Sequence, residues 1–204
     1  MKVLNLYAGI GGNRKLWSGV DCTAVEIDEK IARIYQKFFP YDRIVISDAH
    51  EYLLGHYDEY DFIWSSPPCQ THSRINNLNY IKKEQGQVPK YPDMRLYEEI
   101  VFLQHWFKGK WVVENVIGYY EPLLKPFRYK SHYFWSNFVI PNTKDVKRYI
   151  RAHLCDMKNV VDKDFMSIDI KNKEQIINNC VEPKIGKYIF DCAFKLVQKR
   201  VVEG

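Results

Sequence analysis

A few residues along this chain could do chemistry if folding brought them together. Pro67-Pro68-Cys69-Gln70 places a thiol behind two prolines and ahead of a polar stretch. Free cysteines are usually small buried hydrophobes, but this setting argues against burial in a core. A thiolate near a helix N-terminus or a cation is a competent nucleophile. Glu114-Asn115-Val116 ends another apolar run 45 residues later. A carboxyl enclosed by apolar groups has its pKa raised and can donate a proton near neutral pH. Gly9-Ile10-Gly11-Gly12 supplies backbone that can approach a ligand and adopt positive φ. A helix expected just beyond it would offer free N–H groups to an anion. Glu26 and Asp48, 22 residues apart, each end a short apolar run. In a doubly wound fold a carboxylate such as Glu26 can hold ribose hydroxyls. Asp48 could accept from an adenine amino group or simply cap the next turn.

Stepping along the chain shows which elements must position these groups. Strands are predicted at 3–8, 22–27, 43–46, 62–65 and 111–113. Between them lie helix signals: one through Arg14, Leu16 and Trp17, and one capped by Asp28 through Ile31, Ile34 and Tyr35. Another is capped by Asp93 and runs through Leu96, Ile100, Leu103 and Phe107. Alternating strands and helices imply a mostly parallel sheet with helices on both faces. In that topology the fourth and fifth strands are neighbours, so Cys69 and Glu114 would share a crevice. Residues 71–92 read as a long polar loop, which inside a compact domain is usually functional. Residues 141–175 are polar and weakly patterned.

Composition narrows the class. Hydrophobic residues make up 46% and charged residues 27%, which sets aside disorder and coiled coil. No apolar run reaches the roughly 20 residues that span a bilayer. The five cysteines (22, 69, 155, 180, 192) form no close pair, which argues against a disulfide framework or a zinc cage and for a reducing cytoplasm. Residues 120–151 hold 7 basic and 2 acidic side chains, as large an excess as the whole chain's net +5. That segment is either a solvated face or an edge that meets a phosphate backbone.

The motifs together resemble the cytosine-C5 methyltransferases that use S-adenosylmethionine. Leu6-Tyr7-Ala8-Gly9-Ile10-Gly11-Gly12 is similar to their first motif, with Tyr7 where Phe is usual. Glu26-Ile27 and Ser47-Asp48 resemble the second and third. Pro67-Pro68-Cys69-Gln70-Thr71-His72-Ser73 resembles the catalytic motif, and Glu114-Asn115-Val116 the motif that binds the base. Asn178-Asn179-Cys180-Val181-Glu182-Pro183 is similar to the last motif. The resemblance implies a Rossmann-like S-adenosylmethionine-dependent methyltransferase fold of class α/β. It divides the chain into a cofactor-binding and catalytic core (1–140), a reduced target-recognition insert (141–178) and a C-terminal motif and helix returning to the core (179–204).

The resemblance also implies site roles. Tyr7, Gly9, Gly11, Gly12, Glu26, Ile27, Asp48, Pro68, Asn179 and Val181 would bind S-adenosylmethionine. Cys69 would add to C6 of a flipped cytosine and Glu114 would hold its N3 proton. The loop after Cys69 would close over the pocket. The family's Gln-x-Arg-x-Arg motif falls on Phe127-Arg128-Tyr129-Lys130-Ser131-His132, where one frame selects Arg128 and Lys130 and another Lys130 and His132. Gln70, Ser73, Arg74, His132, Lys147, Arg148 and Arg151 are the expected nucleic-acid contacts. The 34 residues of 145–178 are too few for an independent core, so a separate recognition domain is missing. The implied activity is DNA cytosine-C5 methylation on double-stranded DNA in a cytoplasm, without a metal. An RNA target such as tRNA, or a subunit that needs a partner for target recognition, stays open as an alternative.

Overall fold

The computed structural model describes residues 1–81, 88–141 and 179–194, together with 173 and 176. Among the described residues seven strands form one sheet. The parallel strands are β1 (Lys2–Leu6), β2 (Asp21–Glu26), β3 (Arg43–Ile46), β4 (Phe62–Ser65) and β5 (Lys110–Val116). A terminal hairpin adds β6 (Phe127–Tyr129) and β7 (His132–Ser136). The order across the sheet is β3-β2-β1-β4-β5-β7-β6, and only β7 runs against its neighbours. This is the doubly wound, Rossmann-like arrangement read from the sequence, closed by a reversed strand.

Side-chain alternation sets the two faces. Val3, Cys22, Phe62, Trp64, Val112 and Phe134 point to one side, where they pack on helix α5 (Pro183–Ala193). Helix α1 (Glu29–Phe38) covers the same side farther out, with Tyr35 on Ala24. Leu4, Leu6, Val25, Ile63 and Val113 point to the other side, against α2 (Ala49–His56) and α4 (Arg95–Trp106). Strands buried on both faces are fully apolar rather than alternating, which is why 62–65 and 111–113 were legible as core.

Two expectations need correction. No helix follows the glycine turn: residues 12–16 form successive turns. Two contacts hold them in that shape. The Asn13 side chain bonds Asn5, and the Asn13 backbone lies so close to Gly186 of α5 that a Cβ there would come within 2.4 Å. The Arg14 guanidinium then forks onto Asp42 instead of facing outward on a helix. The polar stretch 71–92 is not all loop, because α3 (Arg74–Ile81) occupies its first part. The basic stretch around 128–132 is a β-hairpin turning at Lys130, whose φ is +49°. Lys147, Arg148 and Arg151, and nearly all of the insert expected at 141–178, lie outside the described residues.

Candidate active site

The parallel strands β1 to β5 end along one edge of the sheet, and ligands in such folds bind in the crevice beyond it. Gly9, Glu26, Asp48, Cys69 and Glu114 all lie at or just past these ends.

On the β1–β3 side, Glu26 is 9% exposed, and its carboxylate accepts the Gly9 N–H at 2.9 Å and the Asp28 N–H at 3.0 Å. The carboxylate thereby fastens the glycine turn to β2 while each oxygen keeps a lone pair. Gly9 has φ +54°, and a Cβ placed on it would meet nothing within 4 Å, so its backbone borders open space. Gly11 serves packing instead: its φ is +81° and a Cβ would strike the Phe39 ring at 2.2 Å. Gly12 and Ile10 hold the Cys180 sulfur through their backbone, which draws the Asn179-Cys180-Val181 segment against the turn. Val181 is buried in the core beneath α5, and Asn179 is exposed. Ile27 is 67% exposed, an apolar side chain in solvent at a strand end. Asp48 caps α2 through His50 and Glu51, and its second oxygen meets Arg95 at 3.2 Å. These bonds hold its carboxyl below the ordinary value although its partial burial acts the other way.

This set fits a nucleoside cofactor. It has open backbone at Gly9, a buried acceptor at Glu26 for hydroxyls, an exposed apolar side chain for a flat ring, and an acceptor at Asp48 for an amino group.

On the β4–β5 side, Pro67-Pro68 leads from β4 to Cys69. Pro67 is buried and Pro68 is exposed. The Asn115 side chain donates to the Pro67 carbonyl at 3.0 Å while its oxygen accepts the Val116 N–H. Strand β5 therefore fixes the diproline and, through it, the cysteine. Beyond Cys69 the chain is fastened again. The Tyr119 N–H donates to the His72 carbonyl, Arg74 Nε donates to the Gly118 carbonyl, and His72 Nδ1 meets the Tyr120 hydroxyl at 2.6 Å. Ser73 pairs with Gly118 in an isolated bridge. Gln70 is exposed on the turn between.

Glu114 is 6% exposed and faces the same side of the sheet as Phe134. Burial pushes its carboxyl up from the ordinary 4.5 to about 7, against a hydrogen bond from Ser66. The Ser66 hydroxyl in turn accepts the Trp64 indole N–H at 2.9 Å. His132 Nε2 lies 3.5 Å from Glu114 Oε1. Burial, with help from the Lys130 charge, lowers the His132 pKa, so the imidazole is neutral at pH 7. The Cys69 thiol is half-buried, and burial together with the Glu114 charge pushes it above its ordinary 9.0. The electropositive setting anticipated for this thiol is therefore not what surrounds it.

The hairpin separates Arg128, Lys130 and His132. Arg128 pairs with Tyr133 and shares its face, opposite to that of Glu114. The structure does not bring Arg128 to the Glu114 pocket. Lys130 at the turn donates to Glu182 at 2.7 Å, beside Val181. Only His132 reaches Glu114. A separate cavity of about 450 Å³ opens between Ile100, Trp111, Leu124, Phe127 and Trp135 and is lined by none of the residues given a catalytic, cofactor-binding or nucleic-acid role from the sequence.

Sequence reading passed over Ser66 and Glu99. Nothing distinguishes Ser66 from its neighbour in a Ser-Ser pair. Glu99 carried a signal: it interrupts the apolar stripe of α4, three residues after Leu96 and one before Ile100.

A parallel sheet in this order, with a reversed terminal strand and its polar groups gathered at one edge, defines a Rossmann-like methyltransferase. A model of the C-5 cytosine-specific DNA methylases matches residues 1–119, more than half of the sequence. The chain belongs to that family, whose members take the methyl group from S-adenosylmethionine. No curated protein matches the sequence.

Solved structures of similar form include DNMT2 of Spodoptera frugiperda, 27% identical, covering 56% of this chain and 35% of that one at a TM-score of 0.38. The methyltransferase EhMeth of Entamoeba histolytica is 19% identical, with coverages of 57% and 38% and a TM-score of 0.36. A protein assigned as a DNA modification methyltransferase of an Escherichia coli prophage is 19% identical, with coverages of 79% and 54% and a TM-score of 0.44. The chain thus spans about half or less of each of these proteins. No helix among the described residues is long and apolar enough to cross a membrane.

Proposed function

We propose that the protein methylates C5 of cytosine in DNA through a covalent adduct between Cys69 and C6 of a base turned out of the helix. One observation carries the reading. A thiol and a buried carboxyl held near pKa 7 stand at adjacent strand ends, close enough for the Glu114 charge to raise the Cys69 thiol.

Cytosine C5 is a poor nucleophile on its own. Cys69, once deprotonated, forms the S–C6 bond, and the C5–C6 π electrons move into the ring. Glu114 supplies the proton that neutralises N3 as this charge develops, and its carboxylate then accepts from the exocyclic amine. C5 becomes enamine-like and nucleophilic. When bound, S-adenosylmethionine supplies a methyl group on a cationic sulfur, which such a carbon displaces. Loss of the C5 proton to solvent re-forms the C5–C6 double bond and expels Cys69 as thiolate, and N3 returns its proton to the Glu114 carboxylate. Ser66 and Asn115 keep the two reacting groups in place, the first by bonding Glu114 and the second by tying β5 to Pro67. Glu26, Ile27, Asp48 and the Gly9 turn bind the donor. Val181 and Asn179 wall its far side. Lys130, His132 and the exposed Gln70 face the base and its strand, and Lys147, Arg148 and Arg151 extend the contact to phosphates.

The test is transfer of a labelled methyl group from S-adenosylmethionine to duplex DNA of many sequence contexts, with total tRNA in parallel. Transfer to DNA that is lost in Cys69→Ala supports the reading. Label appearing only on tRNA replaces the substrate, and no label on either overturns the activity.

A further inference from the structure

Glu99 projects from α4 into the sheet, and its side chain is fully buried. Oε1 accepts the Tyr7 hydroxyl at 2.5 Å and lies 3.1 Å from His50 Nδ1, while Oε2 accepts the Ser65 hydroxyl at 2.5 Å. Tyr7 follows β1, Ser65 ends β4, and His50 stands two residues after Asp48. One carboxylate therefore joins the turn that leads to Gly9, the segment that leads to Cys69, and the start of α2. The charged groups facing it are His50 and, through Tyr7, Asp48 and Arg95. Glu98 reaches the far side of the His50 ring at 3.5 Å.

Tyr7 itself is in the left-handed region, with φ +54°. A non-glycine residue stays there only when its surroundings hold it. Its ring packs with the α2–α4 side of the core, and its hydroxyl is the one polar anchor the structure gives it. Two residues farther on, the Gly9 N–H is bonded to Glu26 in the donor cleft.

We infer that Glu99 is a positioning residue for S-adenosylmethionine. Through the Tyr7 hydroxyl it holds the Tyr7–Gly9 turn in its binding shape, and through Ser65 it keeps the Cys69 segment in register with that turn. The inference rests on the reading that the strand-end cleft takes S-adenosylmethionine. Without the anchor the turn relaxes to unstrained conformers in the free protein, and binding must reorder it, which lowers affinity by the fraction of competent molecules.

The test is calorimetric titration of the full chain with S-adenosylmethionine, joined to steady-state kinetics and thermal unfolding. Tyr7→Phe deletes only the hydroxyl. It raises Kd and the KM for S-adenosylmethionine by about tenfold, the range of a lost hydrogen bond to a charged group, with kcat within a factor of two. Tyr52→Phe is the control: it deletes a buried hydroxyl in the same layer, bonded to Tyr60. It lowers Tm and leaves Kd unchanged. Glu99→Gln raises Kd and also lowers kcat, and if it fails to fold, Tyr7→Phe decides alone. A wild-type Kd in Tyr7→Phe overturns the inference, as does an equal loss in Tyr52→Phe. Wild-type protein that shows no binding overturns the donor-site reading along with it, so the two failures are distinguishable.

Discussion

Replacing Glu114 by Gln should make the protein more stable at alkaline pH while removing its activity. The carboxyl is raised from 4.5 to about 7 by burial. The folded protein thus binds this proton more tightly than the unfolded chain does. The associated stability is complete below pH 4.5 and is lost as pH rises through 7. The full span corresponds to about 3 kcal/mol of unfolding free energy. Gln has nearly the same shape and does not titrate. The difference in stability between Glu114→Gln and wild type should therefore move by about 3 kcal/mol in favour of the variant between pH 4.5 and pH 8. For a chain of this size that is a relative Tm shift of roughly 6–12 °C. Any fixed penalty for an imperfectly bonded amide is the same at every pH and cancels from the slope. His132 runs in the opposite sense. Its pKa is lowered, so its contribution is present above 6.5 and lost as pH falls, and because its Nε2 lies 3.5 Å from Glu114 the comparison is made with His132→Gln in both proteins. Urea unfolding at half-unit pH steps reads the slope directly, provided the transitions remain two-state. A flat difference across the range would refute the reasoning, because Glu114 would then be ionised at neutral pH and unable to hand a proton to N3.

The other predictions follow from the same contacts. The kcat/KM profile should be bell-shaped, with one flank near 7 from Glu114 and another above 9 from Cys69. Asn115→Ala leaves the buried Pro67 carbonyl without its donor, so it should cost about 1–3 kcal/mol in urea unfolding and speed alkylation of Cys69. Gly186→Ala drives a Cβ into the Asn13 backbone and should cost about 2 kcal/mol or more, with α5 losing hydrogen-exchange protection before the sheet does. His132→Ala should lower methyl transfer far more than Arg128→Ala, since only His132 lies on the Glu114 face.

Much of this site was legible because its residues sit where backbone geometry changes. The strands that carry Glu26 and Glu114 and lead to Cys69 are marked by apolar runs stopped by a carboxylate, a diproline or Asn, and parallel pairing forces their ends to one edge. Asp28 and Asp48 were legible as caps for the same local reason. What was missed depends on contacts distant in sequence. Where a helix was expected after Gly12, the turns are held by Asn5 and by close approach of Asn13 to Gly186, more than 170 residues away, which no local pattern reports. Glu99 was passed over because its buried partners, Tyr7, His50 and Ser65, are 34 to 92 residues away. Arg128 and His132 looked equivalent until the hairpin register placed them on opposite faces.

The contacts around the two reacting groups explain why they stay apart in function while lying close in space. A thiol and a carboxyl that both ionise would repel, and the Glu114 charge raises the Cys69 thiol. Here Glu114 is held by Ser66, which is itself fixed by the Trp64 indole, so the carboxyl stays put whether or not it carries its proton. Cys69 is held by hydrogen bonds on both sides, from the Asn115 side chain to the Pro67 carbonyl and from the Tyr119 N–H to the His72 carbonyl, so its position does not depend on its charge. A site built this way can keep both groups protonated at rest. The arrival of the base then matters electrostatically. N3 gives the Glu114 proton somewhere to go, and a C6 carbon gives the thiolate a bond. Either group alone would be a poor catalyst at neutral pH. Together, each one's reaction lowers the barrier to the other's, which is why removing one should abolish nearly as much rate as removing both.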